Sequence, residues 1–217
     1  MPDRFYDMLG APPGDEDFAR RMMELGDRSR DASESITPVI ENTLDDLSTA
    51  KEATILELAC GSPETEQPHW DKMRKVRNEQ VVVFAVEKAL IAVPKKNDTK
   101  VRYIIGNALD VAVIAQYPSQ VDLVVLRHPN LTDESIEKWG AILLPAWNRL
   151  VSGGLLLVTH YHIGEYQQML ELLRQRDDSE IMNAGINPAR DQKWERINPT
   201  HQCIVCPDQY LIKAKKK

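Results

Sequence analysis

The sequence has no excess of basic residues and no long apolar run. Its 217 residues include 27 lysine and arginine against 33 aspartate and glutamate residues, a formal net charge of -6. Nucleic acid is therefore a disfavoured partner, because phosphate backbones are attracted by broad cationic surfaces. No apolar stretch approaches the roughly 18 residues that cross a bilayer, so we expect a soluble protein without a membrane partner. The lysines that close the sequence, Lys213, Lys215, Lys216 and Lys217, are expected to form a solvated end.

Cysteine is also scarce. The chain has three cysteines, an odd number, and starts without an apolar signal segment. Disulfide frameworks use paired cysteines in oxidising compartments, so we expect free thiols and a cytoplasmic location. His201, Cys203 and Cys206 could suggest a metal site, but a structural zinc normally requires four ligands and there is no second cysteine pair. No metal is predicted.

The pattern of apolar residues changes near residue 50. Before it, Ile36, Ile40 and Leu44 have the spacing of one helix face, with Pro38 as a suitable helix start. We therefore predict an N-terminal helical cap over residues 1–50 and a second region over residues 51–217. The second region contains short apolar runs separated by polar stretches. The runs are TILELA from Thr54, VVVFAV from Val81, VRYIIG from Val101, VDLVVL from Val121 and GLLLVTHY from Gly154.

These runs are nearly continuous in apolar residues, which is typical of strands covered on both faces in a parallel sheet. Helices predicted from Thr132 to Leu150, with a kink at Pro145, and from about Gly164 to Arg176 would cover the sheet. EIMNAGI and QYLIKA are predicted as the last strands. The pattern predicts an α/β fold with a doubly wound, mostly parallel sheet and N-terminal helices.

Ligands of doubly wound sheets bind outside the carboxyl ends of the strands, where the strand order reverses. The residues selected by this rule are Glu57 to Gly61, Glu87, Asn107 to Asp110, Arg127 to Asn130, and Thr159 to His162. The turn after the first run reads ACGSPE from Ala59, without the G-x-G-x-x-G spacing that admits a pyrophosphate. Glu64 and Glu66 would also repel a phosphate. A cationic or zwitterionic ligand is favoured, and Glu57 could hold its amine by a charge-assisted hydrogen bond.

The segment Glu57-Leu58-Ala59-Cys60-Gly61 resembles the first motif of class I S-adenosylmethionine-dependent methyltransferases: an acid, any residue, a small residue, any residue and glycine. The resemblance continues through FAVEKA, IIGNALD, VDLVVLRHPN and LVSGGLLLVTHY and covers residues 54 to about 175. It implies methyltransferase activity, a Rossmann-like domain over residues 51–217 and S-adenosyl-L-methionine as the cofactor. The implied cofactor-binding residues are Glu57, Ala59, Cys60, Gly61, Glu87, Lys88, Asn107, Ala108 and Leu109. Among them, Glu87 would hold the ribose hydroxyls and Asn107 would face the adenine.

The residues that contact the methyl acceptor are expected after the fourth run, which is followed by Arg127-His128-Pro129-Asn130. Many amine-directed members of the family have Asp or Asn, then Pro-Pro and an aromatic residue there, so DNA bases and protein glutamine are doubtful acceptors. Arg127 and His128 are the candidate catalytic residues, with His128 a possible base near neutral pH. A hydrogen-bonded pair with a structural role is the alternative. His160, Tyr161 and His162 are further candidates for acceptor contact.

The acidic charge favours a small-molecule acceptor. A protein that binds S-adenosylmethionine without catalysis is an alternative, since the first turn is irregular and the Arg127-His128 pair is unusual. A nicotinamide-dependent oxidoreductase is a weaker alternative, because the turn lacks the required glycines. Cys60 is expected to pack as a small residue rather than to act as a nucleophile, because no base is placed beside it.

Overall fold

A computed structural model describes a central sheet with helices packed against it. It describes residues 38–47, 53–58, 81–87, 101–127, 129, 135–160, 163–188, 196–197, 204–205 and 209–217. The helices are α1 (residues 38–45), α2 (Val111–Ile114), α3 (Ile136–Arg149) and α4 (Ile163–Arg174). The strands are β1 (Ala53–Leu58), β2 (Val81–Glu87), β3 (Val101–Ile105), β4 (Val121–Arg127), β5 (Leu150–His160), β6 (Ser179–Ile186), β7 (Arg196–Ile197), β8 (Ile204–Val205) and β9 (Tyr210–Lys216). Over these ranges, no helix has both the length and the apolar character needed to cross a membrane.

Seven strands form one sheet in the order β3-β2-β1-β4-β5-β9-β6, and β7 pairs with β8 separately. The strands from β3 to β5 in this order pair in parallel, whereas β9 is antiparallel to β5 and β6. β1 pairs with β2 on one side and with β4 on the other, so the strand order reverses at β1. This reversal is the switch point of a doubly wound sheet. The predicted fold class is confirmed.

Side-chain alternation gives the sheet two apolar faces. In β1, Ile55 belongs to the cluster that includes α1, whereas Leu56 and Leu58 belong to the cluster that includes α2, α3 and α4. All three side chains are fully buried. The apolar runs in the sequence are continuous because successive strand residues are covered on opposite faces, as predicted.

Helix α1 packs directly against the sheet. Ile40 and Leu44 are buried in the same cluster as Ile55, which confirms their predicted helical spacing. Lys213 of β9 also forms an ion pair with Asp46, just after the helix. The other residues of the predicted N-terminal cap, 1–37 and 48–50, lie outside the described part of the chain, so the division near residue 50 stays a prediction.

Helix α3 has the predicted buried stripe, including Leu143 and Trp147, and continues through Pro145. The indole Nε1 of Trp147 donates a hydrogen bond to the carboxylate of Asp178 at 2.8 Å. Arg176 donates to the same carboxylate at 3.1 Å, and its guanidinium lies 5.0 Å from the centre of the Trp147 ring. These contacts attach α3 to the segment that follows α4.

Three of the four basic residues that close the sequence, Lys213, Lys215 and Lys216, belong to β9, whereas Lys217 follows it and is exposed. Nζ of Lys216 donates to the carbonyl oxygens of Trp147 at 3.1 Å, Asn148 at 3.2 Å and Leu150 at 2.8 Å. Carbonyl groups in the last turn of a helix lack intrahelical partners, and the helix dipole favours a cation there. Ala214 lies in the cluster on the α3 side, and strand alternation places Lys216 on that same side. The expectation of a solvated end is therefore wrong for Lys216.

Two features were not predicted from the sequence. Helix α2 has four residues, and β7 and β8 have two residues each. Elements this short contain only about one period of the apolar pattern, so periodicity cannot reveal them.

Candidate functional site

The predicted site residues follow one another along the carboxyl edge of the sheet. In the spatial order of the strands, Asn107 follows β3, Glu87 ends β2, Glu57 is next to last in β1, and Arg127 ends β4. Neighbouring strands lie about 4.8 Å apart, so β3 and β4 are separated by about 14 Å. An edge of this length can hold an elongated ligand across the switch point.

Glu57 is a fully buried acid at the switch point. Its backbone is in register with Ala85 on β2 and with Val125 on β4. Alternation places Glu57 on the α1 side of the sheet, together with Ile55. Burying a carboxylate is costly unless donors or positive charge compensate it. A carboxylate at this position would attract a cationic ligand and repel a phosphate.

A tight loop after β3 presents Asn107. Gly106 has a φ of +148°, and a Cβ at this position would lie 2.5 Å from Cγ2 of Val113, so the loop requires glycine. The backbone N–H of Asp110 donates to the carbonyl oxygen of Asn107 at 2.8 Å. The N–H of Leu109 donates to Oδ1 of Asn107 at 3.1 Å. Since Asn107 is exposed, its Nδ2 group can still donate to a ligand.

Exposed apolar side chains flank Asn107 in the sequence. Ile105 is 57% exposed, Leu109 is 36% exposed and Val111 is 82% exposed, while Ala108 is half-buried. Clustered exposed aliphatic side chains often mark a binding surface. An apolar surface beside an amide donor fits a flat heterocycle that has nitrogen acceptors at its edge.

Polar residues lie on the α1 side of the sheet near the carboxyl ends of β4 and β5. Arg127 is partly buried, and its register partner Thr159 is fully buried. Val125 and Leu157, two positions earlier in each strand, belong to the α1-side cluster. By alternation, Glu57, Arg127 and Thr159 share one side of three neighbouring strands.

His160 lies on the opposite side of the sheet. It is fully buried, and its ring centre lies 6.5 Å from that of Tyr166 in an edge-to-face arrangement. The Tyr166 ring centre lies 5.4 Å from that of Tyr210. The structure therefore packs the His160 ring in an aromatic group against α4 and does not bring it together with Glu57.

Several predicted residues lie outside the described part of the chain. They are Ala59, Cys60, Gly61, Lys88, His128, Tyr161, His162, His201, Cys203 and Cys206. For Glu87 the structure describes the backbone, which is in register with Ile105. In the ranges that are described, no group of three or more His, Cys, Asp or Glu side chains could hold a metal ion.

No protein-family model matches the sequence, and no curated protein matches it. The fold is nevertheless similar to those of solved structures. A TehB-like S-adenosylmethionine-dependent methyltransferase from Corynebacterium glutamicum has a TM-score of 0.51 and 16% identity, over 93% of this chain and 97% of that chain. A chain from the complex between the Haloferax volcanii Trm112 methyltransferase activator and a methyltransferase has a TM-score of 0.58 and 11% identity, over 87% and 92%. An rRNA methylase from Streptococcus thermophilus has a TM-score of 0.53 and 12% identity, over 82% and 96%.

The chain therefore has the Rossmann-like fold of S-adenosylmethionine-dependent methyltransferases, which confirms the fold expected from the sequence. At identities of 11% to 16%, the similarity concerns the fold. The described residues also fit the chemistry of S-adenosylmethionine. A buried acid suits its positive charge, and the apolar surface with an amide donor suits its adenine.

Proposed function

We propose that the protein is an S-adenosylmethionine-dependent methyltransferase that acts on a small molecule. The observation that carries the proposal is the order of an amide, an acid and a cation, Asn107, Glu57 and Arg127, along the switch-point edge of a methyltransferase fold. The net charge of -6 supports a small acceptor over RNA. Because the fold is similar to that of an rRNA methylase, RNA is the alternative acceptor to be tested beside small molecules.

The cofactor would lie along the edge from β3 to β1. Bound S-adenosylmethionine would supply an electrophilic methyl group to the acceptor's lone pair, and the electron pair of the broken carbon–sulfur bond would stay on sulfur. Glu57 would stabilise the ammonium group of the methionine part. Glu87, at the end of β2, would accept hydrogen bonds from the two ribose hydroxyls. Asn107 would donate from Nδ2 to an adenine nitrogen, with Ala108 and Leu109 beside the ring.

The turn after β1 and the end of β2 would complete the cofactor pocket. The residues assigned there are Ala59, Cys60, Gly61 and Lys88. Arg127 and His128 would contact the acceptor, since they come at the end of β4, the strand next to β1. His128 would take the acceptor's proton, and Arg127 would orient the acceptor by charge.

Calorimetric titration with S-adenosylhomocysteine, S-adenosylmethionine and NAD tests the cofactor. We expect the two sulfur ligands to bind and NAD not to bind. Glu87→Ala should weaken S-adenosylhomocysteine binding by roughly 1.5 to 3 kcal/mol, because two ribose hydroxyls lose a charged acceptor. Glu180→Ala is the matched control, since Glu180 is exposed on β6, away from the carboxyl edge of β2. Binding of NAD alone would favour the oxidoreductase and contradict the proposal.

Methyl transfer tests the acceptor class. The protein is incubated with labelled S-adenosylmethionine and, in separate samples, a small-molecule cell extract or total RNA. We expect label in small molecules. His128→Ala should slow the transfer roughly 100-fold or more, and Arg127→Ala should slow it as well. Both variants should bind the cofactor with nearly unchanged affinity. Label in RNA would show that the protein is a methyltransferase whose acceptor is RNA and not a small molecule. Tight cofactor binding without transfer to either sample would favour the non-catalytic binding protein.

A further inference from the structure

Thr159 has a buried hydroxyl group that no described residue satisfies. The residue has no exposed surface, and its Oγ1 has no hydrogen-bond partner among the residues that the structure describes. A buried hydroxyl without a partner is costly, and valine would fill nearly the same space without this cost. Such a group is rare in folded proteins and calls for an explanation, of which use by a ligand is one.

The position of Thr159 favours use by a ligand. Thr159 is next to last in β5, so its side chain lies at the carboxyl edge of the sheet, on the α1 side with Glu57. Its register partners are Arg127 on β4 and Leu211 on β9. Leu211 is a buried aliphatic residue, so its side chain cannot satisfy the hydroxyl. Leu211 therefore leaves the hydroxyl unsatisfied on the β9 side, and Arg127 is the polar register partner on the β4 side.

The strand order relates Thr159 to the proposed cofactor. β4 lies between β1 and β5, so Thr159 is two strand spacings, about 10 Å, from the strand of Glu57. With the adenine at β3 and the methionine part at β1, the acceptor must approach from the β4 and β5 end of the edge. Thr159 and Arg127 are the described α1-side residues that end these two strands.

We propose that the hydroxyl of Thr159 borders the transferring methyl group and hydrogen-bonds the nucleophilic atom of the acceptor. This inference rests on the proposed methyltransferase function. A hydroxyl group accepts one hydrogen bond from an N–H or O–H group and can donate another to a lone pair. The acceptor is therefore a small molecule with a nitrogen or oxygen nucleophile, which the hydroxyl aligns for in-line attack.

Sinefungin tests the position of the hydroxyl without knowledge of the acceptor. In this analogue of S-adenosylmethionine an amine-bearing carbon replaces the methylated sulfonium, so the amine stands where the methyl group would be. The wild-type protein should bind sinefungin more tightly than S-adenosylhomocysteine, because the ammonium group donates to Oγ1 of Thr159. Thr159→Val should weaken sinefungin about tenfold or more and change S-adenosylhomocysteine binding less than about twofold, since a hydrogen bond to a charged group is lost. Thr159→Ser keeps the hydroxyl and should keep the preference for sinefungin.

Thermal unfolding of the same variants separates the ligand role from a structural one. Thr159→Val should be at least as stable as the wild type, because it removes an unsatisfied buried group. A less stable valine variant would show that the hydroxyl has a partner in the folded protein and would overturn the inference. An unchanged ratio of sinefungin to S-adenosylhomocysteine affinity in Thr159→Val would also overturn it, while leaving the methyltransferase proposal in place. If the wild type bound neither ligand, both proposals would fail.

Discussion

Replacing Lys216 by methionine removes the cation at the end of α3 and keeps a side chain of similar length. The ammonium group donates to three carbonyl oxygens, those of Trp147, Asn148 and Leu150. A net hydrogen bond contributes about 0.5 to 1.5 kcal/mol, and a cation at a helix C-terminus about 0.3 to 1 kcal/mol. Three bonds share one ammonium group, and the side chain is half-buried, so we expect a loss of about 1 to 2 kcal/mol.

Urea denaturation and thermal unfolding measure this loss. For a chain of this length, the expected decrease in Tm is about 2 to 8 °C. Lys215→Met is the matched control: Lys215 lies in the same strand and is also half-buried, but its side chain has no hydrogen bond or ion pair within the described ranges. The control should stay within about 0.5 kcal/mol of the wild type. Equal losses in the two variants would refute the assignment of stability to the end of α3.

Two further substitutions test other parts of the fold. Gly106→Ala should destabilise the protein by about 2 to 4 kcal/mol, because it adds a positive-φ strain and a clash with Val113; denaturation midpoints measure this, and a loss below about 0.5 kcal/mol would contradict it. Burial raises the pKa of Asp178, but hydrogen bonds from Trp147 and Arg176 and the charge of Arg176 lower it below the ordinary value of 3.8. Because the folded-state pKa is the lower one, the ionised carboxylate stabilises the folded protein above about pH 4, and this contribution is lost as the pH falls further. The difference in unfolding free energy between the wild type and Asp178→Asn should therefore be constant from about pH 7 to 5 and decrease below about pH 4, and a difference independent of pH would contradict this reasoning.

The strands were the most predictable part of the fold. The runs that start at Thr54 and Val121 match β1 and β4 within one residue. Strands buried on both faces consist of nearly continuous apolar residues, so their bounds can be read from the sequence. β5 is the exception: it begins at Leu150, four residues before its predicted start at Gly154. The sequence places Leu150 in the preceding helix because an apolar residue suits both elements, and the structure passes from α3 to β5 without a loop.

Features that depend on distant partners could not be predicted. The sequence QYLIKA indicates a strand but not its antiparallel insertion between β5 and β6. Lys216 became a partner of α3 only through that insertion. At the site, the motif predicted Glu57 and Asn107, and the edge rule selected Thr159. The unsatisfied hydroxyl of Thr159 could not be predicted, because it depends on which side chains face it across neighbouring strands.

The insertion of β9 has a consequence for the order in which the protein matures during translation. In the described part of the chain, β6 joins the sheet through β9, and β9 is the later of the two strands to leave the ribosome. Until residues 210–216 emerge, β5 and β6 each have an unpaired edge, and such edges can pair with another chain. The strands of the proposed cofactor edge, β1 to β4, can pair with one another before that time. Mutations that weaken β9 should therefore cause losses in nascent chains through aggregation, while the molecules that finish folding retain a normal ligand edge.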